Sequence, residues 1–99
     1  MLNNNEKIKP LVNIMLPNGH CLPKALCDSV KHQVEDIIPA MIPGVGYTLK
    51  MLCGKEYWKQ LSVGERLWAG LYIAYLVATN GLPLSFGQDT GSHHKTYRV

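Results

Sequence analysis

Residues 62–81, SVGERLWAGLYIAYLVATNG, constrain this chain more than any other stretch, because they read as a helix with no charged face beyond its first turn. Ser62 and Glu65 have the spacing of a capping box, in which each satisfies an orphan backbone N–H at the helix start. Asn80-Gly81 supplies the stop. Val63, Leu67, Leu71, Ala74 and Val77/Ala78 make a core stripe. Trp68, Tyr72 and Tyr75 make a second apolar stripe, and Ala69, Ile73 and Leu76 a third. A helix that is apolar all round is normally buried. Two arrangements satisfy it: a central helix enclosed by the rest of the domain, or a helix whose aromatic stripe is partly exposed as a homodimer or partner surface. The two can coexist. Gly70, Ala74 and Ala78 fall four apart and leave a shallow strip for close helix approach. Such packing would offset the roughly 1 kcal/mol that a mid-helix glycine costs relative to alanine.

The chain around this helix has 99 residues, enough for one core and not for two. An apolar fraction of 46% with 17% charged residues excludes a disordered composition. The longest apolar run, residues 67–78, is about two-thirds of a membrane span, so no membrane association is expected. Residues 1–9 are polar and Asn-rich; they offer no apolar signal-peptide core and predict a disordered tail. The three cysteines, Cys21, Cys27 and Cys53, are an odd number without framework spacing. They fit buried, reduced thiols and a cytoplasmic setting.

Residues 11–16 alternate loosely and run into Pro17-Asn18-Gly19. An Asn-Gly pair between short apolar runs predicts a small hairpin with a type I′ turn, Pro17 standing beside it. Pro23 then opens a helix, with Leu26, Val30, Val34, Ile37, Ile38 and Met41 on its apolar face. The pairs Asp28/His32, Lys31/Glu35 and His32/Asp36 support a solvated opposite face. Pro39 ends or kinks the helix near Ile38, and residues 42–46 turn the chain. Thr48 can cap a short helix over 49–53, stopped by Gly54, and residues 56–61 make a further helical turn or two. Residues 82–86 and 96–99 read as two strands around a polar tip, 87–95.

A strand-like Tyr47, two short helices, a capped long helix and a two-stranded hairpin follow one another in the second half. The run YTLKMLCGKEYWKQLSVGERLWAG followed by LPLSF…KTYRV resembles the small winged helix-turn-helix proteins of bacteria and phages, over residues 47–99. The resemblance implies an α+β fold. An N-terminal β-hairpin and amphipathic helix (10–42) pack on a winged-helix-like three-helix unit with a C-terminal β-hairpin (47–99), all within one domain, 10–99. It also implies DNA binding, with the start of the third helix in the major groove and the wing on the backbone. Carried over by position, Ser62, Glu65, Arg66 and Ala69 face bases or phosphates. Lys55 and Lys59, with His93, His94, Lys95 and Arg98 on the wing, meet phosphates. One arginine and no Asn or Gln on the recognition helix departs from a strong base reader and implies weak sequence specificity.

Charge placement is consistent with that implication. Residues 1–49 hold four basic and four acidic side chains, whereas 50–99 hold six basic against three acidic, so the net +3 lies wholly on the second half. The same charges also suit a plain solvated surface. His20, Cys21, Cys27 and His32 match no zinc spacing, and Cys27 and His32 point to different faces of a helix, so no metal is expected. No Gly-rich phosphate loop, metal-hydrolase pattern or paired nucleophile and base is present, so no enzyme activity and no cofactor are expected. Two functions remain. One is a small DNA-binding protein of phage or mobile-element type. The other is a protein-interaction module, a dimeric adaptor or an inhibitor of a host protein, using Trp68, Tyr72, Ile73, Tyr75 and Leu76.

Overall fold

The computed structural model describes residues 13–17, 19–87 and 95–99. The expected tail over 1–9 and the wing-tip residues His93 and His94 lie outside the described residues. Among the described residues, four α-helices and two small antiparallel sheets make up the fold. β1 (Asn13–Met15) pairs with β2 (Cys21–Pro23), with Ile14 opposite Leu22. The hairpin forms where Asn-Gly predicts it, but with a different turn. Leu16 donates its N–H to the His20 carbonyl at 2.8 Å, and Gly19, at φ +95°, donates back to Leu16. Three residues therefore span the turn, and Pro17 lies inside it. That is a three-residue loop closed by a left-handed glycine rather than a two-residue type I′ turn. Leu16 and Leu22 are buried, which seats the hairpin on the core.

Pro23 is the last strand residue and the cap of α1 (Lys24–Ile37), so the helix begins one residue later than the proline. Cys27, Val30 and Val34 form its buried ridge. Lys24–Asp28 at 2.6 Å, Lys31–Glu35 at 3.8 Å and His32–Asp36 at 3.4 Å line the exposed side. Asp28 thus pairs back to Lys24 instead of forward to His32. Pro39 does not end the helical path at once. It sits early in a single 3-10 turn, Ile38–Ala40, where a missing N–H breaks no bond. A Pro-Gly turn follows, closed by Val45 N–H on the Ile42 carbonyl at 3.2 Å.

β3 (Tyr47–Thr48) leads directly into α2 (Leu49–Cys53), capped by the Thr48 hydroxyl on Met51 N–H at 3.3 Å. α3 (Lys55–Lys59) follows after one residue, Gly54, whose φ of +91° lets two helices meet at an angle that a side chain would oppose. α4 (Val63–Ala78) has both halves of its capping box: Glu65 N–H on Ser62 Oγ at 3.1 Å and Ser62 N–H on Glu65 Oε1 at 2.8 Å. It closes with Asn80 at φ +62° and Gly81 N–H on the Leu76 carbonyl, the Schellman arrangement. β4 (Ser85–Phe86) and β5 (Thr96–Arg98) complete a second sheet of order β3–β5–β4, with Tyr47 opposite Tyr97 and Phe86 opposite Tyr97.

The core joins α1, α2, α4 and the inner face of this sheet, with Val30, Val34, Ile73 and Tyr97 among its least exposed members. α4 contributes Ala69, Tyr72, Ile73 and Val77. This corrects the expected core stripe: Val63 is 82% and Leu67 64% exposed, and only Val77 of that set is buried. α4 packs against α1, and its sector Ala69–Ile73–Val77, spaced four apart, is buried. Apolar residues on every side of α4 give periodicity nothing by which to choose between sectors.

Candidate nucleic-acid interface

Each cation of the second half is placed by a local rule. Leu49 points into the core, so Lys50, one residue on, faces outward at the start of α2. Lys55 and Lys59 are four apart on α3 and share its exposed side. Arg66 reaches back from the second turn of α4. Its Nε–H and an Nη2–H both donate to the Trp58 carbonyl, at 3.2 and 3.1 Å, and its guanidinium carbon stands 5.8 Å from the Trp58 ring centroid. These contacts satisfy an end carbonyl of α3 and lock α3 to α4. Ser29 and the Tyr57 hydroxyl, 2.7 Å apart, tie α3 to α1 from the other side.

The result is a cleft of about 240 Å³ lined by Lys50, Lys55, Trp58, Lys59 and Arg66, and among the described residues no carboxylate lines it. The acidic side chains of α1 are held in their own ion pairs, and Glu65 is held by the capping box. Glu56 is exposed on α3 between Lys55 and Lys59 but does not line the cleft. Among the described residues, Lys50, Lys55 and Lys59 take part in no ion pair.

Lys50, Trp58 and Arg66 also border a longer groove of about 580 Å³ along α4, whose floor is Leu67, Gly70, Leu71 and Ala74. Lys95 joins it from the end of β5, beside Tyr97. Lys95 Nζ also stands 5.9 Å from the Phe86 ring centroid. Burial pushes the Tyr97 hydroxyl up to about 12, and it raises the Tyr72 hydroxyl first, with Cys27, Asp28, Glu35 and Tyr75 adding to the effect.

The predicted DNA-contact residues therefore divide. Lys55, Lys59 and Arg66 come together in the cleft, and Lys95 lines the longer groove with Arg66. Ser62 is exposed, but its hydroxyl accepts the capping bond. Arg98 is exposed and lines neither cleft, since alternation along β5 turns it away from the Lys95–Tyr97 side. Ala69 is a correction: at 1% exposure it belongs to the core and cannot meet a base. Lys50 and Trp58 were not singled out from sequence. The signal was there in cations at 50, 55, 59 and 66 interleaved with an aromatic, but only the Gly54 turn brings them together.

The interaction surface proposed on the aromatic stripe is also corrected. Tyr72 and Ile73 are 7% and 0% exposed and pack in the core, while Tyr75 and Leu76 are half-buried against it. Trp68 alone of that set is open, at 37%. The apolar residues that α4 shows to solvent lie elsewhere, at Val63 and Leu67. Among the described residues no cluster of three metal-ligating side chains occurs, and no helix is long and apolar enough to cross a membrane. Comparisons with family models, curated proteins and solved structures return no match.

Proposed function

We propose that this chain is a non-enzymatic, DNA-binding protein of winged-helix type that holds duplex DNA through its phosphates and reads sequence weakly. The observation that carries the reading is the gathering of Lys50, Lys55, Lys59 and Arg66 around Trp58 in one cleft without a lining carboxylate. Four cations on one face are what a phosphate backbone needs, since each neutralised phosphate releases counterions. The element order from β3 to β5 and the strand order β3–β5–β4 support the winged-helix part of the reading. In that frame the start of α4 approaches the duplex and Lys95 approaches from the wing.

Weak specificity follows from what the start of α4 presents. Ala69 is buried, two of the Arg66 N–H groups are bonded to Trp58, and Val63, Gly64 and Leu67 offer no hydrogen bond to a base edge. Phosphate contacts position a protein without informing it of sequence.

The test is a Lys55→Ala/Lys59→Ala double variant titrated against a labelled mixed-sequence duplex over a range of salt. We expect weaker binding on every sequence and a log–log salt slope smaller by about two, roughly 0.9 for each lost phosphate contact. A Lys24→Ala/Lys31→Ala variant on α1 should keep the wild-type slope. Equal slopes for all three proteins would remove the assignment.

A further inference from the structure

The long groove on α4 is chemically unlike the basic cleft beside it, and phosphate binding gives it no role. Its floor is apolar and spans two helical turns, with Leu67 and Leu71 flanking Gly70 and Ala74. Three cations, Lys50, Arg66 and Lys95, are among its lining residues, and among the described residues no carboxylate lines it. Leu67 is 64% exposed, a costly way to leave a leucine unless something covers it. A Cβ built on Gly70 meets nothing within 4 Å, so the groove is open over that residue.

We propose that this groove is a docking site for an acidic amphipathic helix of a partner protein. A second helix lays apolar residues at i, i+3, i+4 and i+7 into such a groove. Gly70 and Ala74, four apart, let its backbone come close, as small residues do at helix crossings. The three lining cations select glutamate and aspartate on its flanks and disfavour a basic segment by like-charge repulsion. A second copy of this chain would bring its own Lys50, Arg66 and Lys95 to the same contact, so self-association through the groove is opposed. A small amphiphile is a poorer occupant, because the groove is open along one side and would leave much of it in water. A helix carries its own solvated face. Lys50 and Arg66 border both clefts, so the helix and DNA compete for one edge of the molecule.

The experiment uses the full chain and a labelled synthetic peptide with leucines at helical i, i+3, i+4 and i+7 spacing and glutamates elsewhere. Its lysine counterpart is the control. Fluorescence anisotropy should show the acidic peptide binding at least tenfold more tightly than the basic one. Gly70→Leu, whose Cβ meets nothing within 4 Å and whose side chain extends into the groove, should weaken the acidic peptide at least tenfold. Lys55→Ala/Lys59→Ala, outside the groove, should bind the peptide as wild type does, so a failure of phosphate binding and a failure of the groove are read separately. Equal affinity for the two peptides, or a Gly70→Leu protein that binds the acidic one undiminished, overturns the proposal. So does a wild-type dimer that Gly70→Leu converts to monomer, which would give the groove to a second copy. Loss of duplex binding in Gly70→Leu equal to its loss of peptide binding also overturns it, by making the groove part of the DNA surface.

Discussion

Residue placement explains which side chains can react and which only pack. Cys21 is exposed, whereas Cys27 and Cys53 are buried at 1% and 5% exposure. Burial pushes Cys53 up to about 12. Burial first, and then the neighbouring Asp28 carboxylate, pushes Cys27 up to about 11. The thiolate is the reactive form, so an aromatic disulfide reagent at pH 8 should modify one thiol quickly and the other two only on unfolding. Two or three fast thiols would contradict the burial. Each raised group keeps its proton in the folded state while the unfolded chain would lose it. The folded protein therefore holds its full advantage below about pH 9 and loses it as pH rises toward about 12, through Cys27, Cys53 and Tyr97 together. Urea midpoints should be level from neutral pH to about 9 and fall steadily above it. A midpoint that rose in that range would have the wrong sign.

Elements rest on short-range chemistry at their ends and on long-range packing along their lengths. The capping box at Ser62 and Glu65 satisfies orphan N–H groups at the start of α4, so Ser62→Ala should lower stability by about 1 kcal/mol. Gly70→Ala should raise it by about 0.5–1 kcal/mol, because its Cβ enters open space and helix propensity improves. Denaturant titration of both variants checks the pair, and a destabilising Gly70→Ala would mean that the groove is not open as described. Features of this kind were legible in the sequence. Thr48 before 49–53, Gly54 after it, Ser62 with Glu65, and Asn80-Gly81 all mark ends by local bonds that need no tertiary knowledge. The buried face of α4 was not legible, because Val63, Leu67, Tyr72 and Ile73 are all apolar. Only the Cys27–Val30–Val34 ridge of α1 decides which of them turns inward. The hairpin loop of three residues rather than two has a local origin instead, since Pro17 lies inside the loop and not beside it.

At the scale of the molecule, charge and apolar surface are sorted. Paired charges cover α1, lone cations gather where α2, α3 and α4 meet, and the exposed apolar strip of α4 runs away from them toward the end of β5. The site was partly legible for that reason. Lys55, Trp58, Lys59 and Arg66 lie within twelve residues of one another, whereas Lys50 and Lys95 join them only through the Gly54 turn and the pairing of β5 with β3. DNA binding through phosphates is the central claim, and fluorescence anisotropy of a labelled mixed-sequence duplex at 50 and 200 mM salt tests it most directly. Four phosphate contacts, from Lys50, Lys55, Lys59 and Lys95, predict affinity that falls by roughly a hundredfold between the two conditions. No binding at tens of micromolar protein in the lower salt, or an affinity that does not change with salt, would contradict it.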